Sequence, residues 1–264
     1  MKYLYGLSKN KIYLSANGKI IKSFPDSKQM LRSYTGQALA SNALPSLVKI
    51  PKIINSNTIS YDFVSGYSVP TLSLKQFLEV RRNLNRFHTI SHKDHLQNIN
   101  IPTYNNYIEE ILKNFTSELS LISSLKIKRP HLTSTLSKSN LYLSHMDLHG
   151  NNLLWKDTAS LAGIIDFDQV AWVPSHLDDV IMALRTSFDF NHFYPEKTLS
   201  LFKSKVESLQ ISNSSAKQFI YIYIYKVIIE KIYYFSEYHD LNIIYGSDSL
   251  DKWAIIEQLI DRSF

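Results

Sequence analysis

The sequence predicts an α+β fold whose strands gather near its start and whose remainder is mainly helical. Three observations predict it. The first 66 residues hold short apolar runs broken by turn residues, including Asn17-Gly18, a strong short-range hairpin signal. From Leu72 onward, apolar residues recur at near-helical spacing in several stretches. Between those stretches, two apolar runs end in clusters of Asp, Asn and His, at residues 145–152 and 166–168.

A length of 264 residues is enough for one large domain or two lobes with a substantial core. There is no cysteine, which excludes disulfide frameworks, zinc–thiolate sites and thiol nucleophiles and fits a reducing cytoplasm. No charged-then-apolar leader opens the chain. The most apolar run, residues 219–229, is interrupted by Lys226 and too short to span a bilayer, so no membrane partner is expected. The net charge of +6 is uneven: residues 1–132 carry 18 Lys and Arg against 7 Asp and Glu, residues 133–264 carry 11 against 16. A basic first half suits nucleotide phosphates and an acidic second half suits magnesium and a cationic substrate; an unevenly charged, solvated surface is the alternative. No basic–aromatic reader pattern is present, so nucleic acid is not an expected partner.

In chain order, Ile12-Tyr13-Leu14 and Lys19 to Lys22 flank Asn17-Gly18 as a two-residue hairpin. A helix is expected from Ser27 to Leu44, ended by Pro45. Ile59 to Val64 reads as a strand, with Gly66 giving freedom where the chain leaves it. Leu74, Phe77, Leu78, Leu84 and Phe87 mark a helix within residues 72–90, and Tyr104 to Leu125 a second, followed by a polar stretch from Lys126 to Ser139. Leu141-Tyr142-Leu143 and Leu161 to Ile165 are short buried strands. Pro174 to Phe188 reads as a loop and helix. Tyr221-Ile222-Tyr223-Ile224-Tyr225 alternates like a strand, but the length of the run from Phe219 to Phe235 favours a buried helix. A last helix covers Leu250 to Ile260.

The two polar clusters carry the chemistry. Asp147 and Asn152 are five positions apart, and Asp166 lies fourteen beyond Asn152. Phosphoryl transfer needs a carboxylate to orient the attacking hydroxyl and oxygen ligands to hold magnesium against the nucleotide phosphates. A loop of the form His-x-Asp-x-x-x-x-Asn with a later Asp supplies those parts at strand ends.

The phrase His145-Met146-Asp147-Leu148-His149-Gly150-Asn151-Asn152-Leu153-Leu154 resembles the small-molecule kinases that include aminoglycoside phosphotransferases, choline kinases and bacterial thiamine kinases. The resemblance implies a bilobal protein-kinase-like fold. Residues 1–66 would be a small β-rich nucleotide lobe, and residues 67–264 a mainly helical lobe with catalytic loop, metal site and acceptor pocket. It implies ATP and Mg2+ as cofactors, Asp147 as catalytic base, and Asn152 and Asp166 as magnesium ligands. Asp168, in the place of the glycine of the protein-kinase Asp-Phe-Gly motif, is expected as an additional ligand or as a residue supporting the ligands from behind. His145 would brace the loop. Lys22 is the expected phosphate-binding lysine, with Lys19 as the alternative. The loop from Gly6 to Asn10 would cover the phosphates through backbone amides or Ser8, although unaided it reads as a surface turn. The backbone of Asp62, Phe63 and Val64 would meet adenine; an edge strand and turn would look similar. His88 and one of Asp178 or Asp179 are expected to be structural.

One departure stands out. Related kinases often pair the lysine with a helix glutamate, yet no acidic residue lies between Asp26 and Asp62; Gln37 is the expected hydrogen-bonding substitute. The resemblance further implies a small-molecule hydroxyl acceptor, a small cationic alcohol with thiamine first and choline next. Its pocket is expected from Asp178 onward, with tyrosines 221, 223, 225, 233 and 234. The alternatives are an aminoglycoside O-phosphotransferase and a non-catalytic nucleotide-binding pseudokinase. Protein-kinase activity is disfavoured, since no Gly-rich signature or Ala-Pro-Glu sequence is present.

Overall fold

The computed structural model describes residues 2–4, 10–90, 101–104, 106, 141–238 and 249–264, with backbone alone at 2–4, 175 and 233–238. The expected helix after Tyr104, the polar stretch 126–139 and Ser8 fall outside the described residues. The chain divides into two compact units, Met1–Ile101 with Leu141–Trp172, and Pro102–Asn140 with Val173–Phe264. Among the described residues no helix is long and apolar enough to cross a membrane.

The first unit opens with β1 (Lys2–Leu4), β2 (Lys11–Leu14) and β3 (Lys19–Ser23). The β2–β3 turn differs from the two-residue form expected. Leu14 pairs with Ile20, the Ser15 N–H donates to the Lys19 carbonyl at 2.9 Å, and residues 16–18 form a three-residue loop. Gly18 takes φ +73 there, the left-handed position such loops need. Helix α1 (Ser27–Ala43) follows, capped by Asp26, whose carboxylate accepts the Gln29 N–H at 2.8 Å. β4 (Lys52–Asn55) and β5 (Thr58–Asp62) complete an antiparallel sheet in the order β1-β2-β3-β5-β4. Side chains alternate along β3, so Ile20 and Lys22 turn inward while Lys19 stays outside.

β6 (Tyr67–Ser68) leads to α2 (Leu74–Ile90). A capping box starts α2: Ser73 Oγ accepts the Gln76 N–H at 3.3 Å, and Gln76 Oε1 accepts the Ser73 N–H at 3.1 Å. Phe77, Val80, Leu84 and Phe87 form its buried stripe; Leu78, expected among them, faces outward. β7 (Tyr142–Ser144) enters the first polar cluster, β8 (Leu153–Trp155) leaves it, and β9 (Leu161–Ile164) ends in the second. β6, β8 and β9 make a three-stranded sheet, and the unit ends within β10 (Ala171–Val173).

The second unit contains α3 (Ser175–Arg185), α4 (Pro195–Glu207), α5 (Asn213–Tyr238) and α6 (Leu250–Ser263). Of these α4 was not foreseen; Pro195 sits in its first turn, where a missing N–H is harmless. The tyrosine–isoleucine run is helical in α5, with Ile220, Ile222, Tyr223, Ile224 and Tyr225 all buried. A helix apolar on every side is a core helix, which explains why its sequence lacks a helical stripe. A buried ion pair on this helix, Lys226 to Glu230 at 2.9 Å, spans a single turn.

Candidate active site

His145 organises the first cluster. It is fully buried, its Nε2 bonds the Ile165 carbonyl at 2.8 Å, and its Nδ1 accepts the Asp147 N–H at 3.3 Å. Nδ1 as acceptor makes Nε2 the protonated nitrogen, so one ring ties the loop after β7 to the end of β9. Phe167 packs on that ring at 4.6 Å and edge-on to Phe87 at 6.4 Å. Both clusters are held in backbone conformations that cost energy: Met146 and Asp166 have φ +67 and +69. Beyond Asp147 the chain enters a short 3-10 turn, residues 150–152, capped by His149. Gly150 fits because nothing larger can. A Cβ there would lie 1.8 Å from the Val69 carbonyl oxygen.

The side chains on this frame converge. Asn152 donates from Nδ2 to the Asp147 carbonyl at 2.9 Å, which turns its oxygen the other way. Asp147 has His149 beside it, Nε2 to Oδ2 at 3.6 Å. Lys22, 2% exposed, reaches from β3 to Asp166 Oδ1 and Asp168 Oδ2, both at 2.6 Å. Asp168 also accepts from Asn10 Nδ2 at 2.5 Å and from Ser33 Oγ at 2.8 Å.

Two carboxylates around one ammonium titrate as a coupled set. Burial works against the Lys22 charge, but Asp166 and Asp168 outweigh it and hold the lysine above its ordinary value. Burial also pushes Asp166 up, yet Lys22 prevails and keeps that carboxyl low. Asp168 is raised, by burial and then by repulsion from Asp166. Nearby Tyr61 is pushed up to about 12, chiefly by burial.

The donor set fits a hard cation. Asn152 offers an amide oxygen and Asp166 a carboxylate, the ligand types magnesium prefers when phosphate oxygens fill its other positions.

The structure brings together Lys22, Asp147, Asn152, Asp166 and Asp168, and leaves Lys19 outside in an ion pair with Asp62. The Phe63 N–H donates to the Gly18 carbonyl at 3.0 Å. Gln37 does not meet Lys22; its Nε2 donates to the Lys49 carbonyl at 2.8 Å. The lysine's partners come instead from the segment after β9. His88 is buried with Ser144 Oγ at 3.4 Å, a partner that inspection of its sequence neighbours does not supply. Asn10 and Ser33 escaped the sequence reading of the site. Asn10 ends the loop from Gly6 expected over the phosphates, while Ser33 carries no signal among the many serines of the chain.

In the second unit four of the expected pocket residues are enclosed. Asp178, Asp179, Tyr223 and Tyr225 are buried, and the hydroxyl of Tyr221 is spent on Asp261. The side chains of tyrosines 233 and 234 fall outside the described residues.

Residues 74–199 match the family described as "Phosphotransferase enzyme family". No curated protein matches the chain. Among solved structures, the chain is similar to the GDP and kanamycin complex of APH(2")-IIia, at 13% identity and TM-score 0.69, covering 100% of this chain and 93% of the other. It is similar to spectinomycin phosphotransferase APH(9)-Ia with ADP and spectinomycin, at 16% identity and TM-score 0.57, covering 97% and 88%. It is also similar to choline kinase LicA from Streptococcus pneumoniae, at 15% identity and TM-score 0.54, covering 98% and 92%. Likenesses at these identities concern fold, and the fold is protein-kinase-like, with an antiparallel sheet in its N-terminal part and helices in its C-terminal part.

Proposed function

We propose that this phosphotransferase moves the γ-phosphate of ATP, with Mg2+, to a hydroxyl of a small cationic alcohol. The observation that carries the reading is the convergence of Asp147, Asn152, Asp166 and Lys22 on one frame. Asp147 orients the acceptor hydroxyl and takes its proton, a role that suits a carboxylate with an imidazole N–H nearby. Asn152 and Asp166 hold the magnesium, which neutralises charge on the phosphates when bound. Lys22 positions the phosphate oxygens. Because the Phe63 N–H is spent on Gly18, adenine recognition on that strand end falls to the backbone of Asp62 and Val64.

For the acceptor, thiamine comes first, on the wording of the 145–152 loop, and choline second. Aminoglycosides are the competing class, supported by the family match and the fold of the aminoglycoside enzymes. A pseudokinase role is disfavoured by the intact Asp147, Asn152 and Asp166. The test is steady-state phosphorylation of thiamine, choline, ethanolamine and kanamycin with ATP and, because GDP occupies one similar enzyme, with GTP. Transfer to one of these cations is the expected result. Turnover confined to neutral or anionic alcohols would overturn the cationic acceptor, and no transfer at all would overturn the enzyme.

A further inference from the structure

The geometry points to Asp168 as the fixed counter-charge that positions Lys22 for the phosphates, in place of a carboxylate from α1, so that Asp168 is a positioning residue and not a metal ligand. This rests on the phosphotransferase reading above.

Helix α1 supplies no counter-charge of its own. It has no acidic residue; its buried face is Met30, Ser33, Gly36, Gln37, Ala40 and Ser41, and the Gln37 amide is engaged by the Lys49 carbonyl. An ammonium buried as Lys22 is must keep a carboxylate, because a buried charge left without its partner is strongly destabilising. Two candidates touch it. Asp166 is the more exposed, its side chain 39% accessible against 20% for Asp168, and it stands beside Asn152 through the Ile165 N–H, which donates to the Asn152 carbonyl at 3.1 Å. Asp166 is thus the partner placed to turn to a cation, and Asp168 the one that holds Lys22 in position with metal or without it.

Asp168 is built for a fixed post. One oxygen accepts from Lys22 and Asn10, the other from Ser33; ligating a metal would forfeit bonds that three separate segments supply. The backbone after it is clamped to the same helix. Arg32 donates from Nε to the Val170 carbonyl at 2.7 Å and from Nη2 to the Gln169 carbonyl at 2.9 Å. Val170 lies so close to Gly36 that a Cβ there would meet its side chain at 2.5 Å. Thus α1 does reach the lysine, but through Ser33 and Arg32 acting on Asp168.

The two roles separate when nucleotide binding is measured with and without metal. Calorimetric titration of ATP in EDTA reads the lysine; the Mg2+ concentration that half-restores full affinity reads the metal ligands. Asp168→Asn is expected to weaken metal-free ATP binding roughly tenfold or more and to leave the half-restoring Mg2+ concentration unchanged. In a Lys22→Met background the same substitution should cost nothing further, since it acts through the lysine. Should Asp168→Asn fail to fold, Ser33→Ala, which removes one donor and leaves every charge, should weaken metal-free binding about threefold. Unchanged metal-free affinity, a shifted Mg2+ requirement, or full additivity with Lys22→Met would each overturn the assignment. Wild-type protein that binds neither ATP nor GTP would instead overturn the phosphotransferase reading itself.

Discussion

Gly150→Ala is the most informative single-atom perturbation, because it tests the frame and leaves every polar group of the site in place. The added Cβ would sit 1.8 Å from the Val69 carbonyl oxygen, 2.8 Å from the Val69 carbonyl carbon and 2.9 Å from the Pro70 Cα. All three are backbone atoms, so no rotamer change relieves them. The 150–152 turn must retreat by about 1 Å or more, and a displacement of that size at a catalytic group costs on the order of a hundredfold in rate. Overpacking of this severity belongs at the top of the usual range, about 3 kcal/mol, which for a chain of this size corresponds to a fall in melting temperature of roughly 6–12 °C. Because Asn152 rides on the turn, Mg2+-dependent nucleotide binding should weaken along with stability. Differential scanning calorimetry and ATP titration with Mg2+ check both. A variant melting within about 2 °C of wild type with unaltered Mg2+-dependent binding would refute the claim that close packing on Val69 positions this loop.

Three further outcomes are expected. Asp147→Asn should fold and bind nucleotide as wild type while turnover drops by about a hundredfold or more, measured by steady-state kinetics with the accepted alcohol. Asp166→Ala should lose the Mg2+-dependent part of ATP affinity and keep the metal-free part, the mirror image of Asp168→Asn, as titration in Mg2+ and in EDTA would read. The last concerns Lys205, fully buried and donating to the Thr186 carbonyl at 2.8 Å, whose ammonium burial pulls down to about 7. Between that value and about 10.4 in the unfolded chain, the unfolded state holds a proton the native state lacks. Stability should therefore rise with pH across this window, by at most ~1.4 kcal/mol per unit, and be flat below it; urea denaturation of Lys205→Met should show the slope abolished.

The parts of this molecule that sequence made legible are those fixed by local chemistry. Asp147, Asn152 and Asp166 sit at strand ends because apolar runs stop where loops begin, and such boundaries are visible in the letters. The spans of α1 and α2 are local in the same way. What escaped depends on distance. The hairpin turn gained a residue because Ser15 Oγ closes on Lys19, bonding its N–H and carbonyl at 2.9 Å, which an Asn-Gly pair alone does not announce. Gln37 looked like the natural partner for Lys22, being an uncommitted amide on the right helix. The Lys49 carbonyl took it, and the lysine found its charges on a segment more than 140 residues later. Tyr223 and Tyr225, read as pocket walls, are core, buried on helix α5.

That long reach has a consequence for how the protein is made. The N-terminal sheet carries a buried ammonium whose counter-charges are not synthesised until residues 166 and 168. A nascent chain holding only the first 90 residues would have to bury Lys22 bare or leave that face of β3 open. The second is the cheaper state. The N-terminal sheet, although it emerges from the ribosome before residues 166 and 168, is therefore finished late, with Asp166 and Asp168 closing a structure begun on the far side of the sequence.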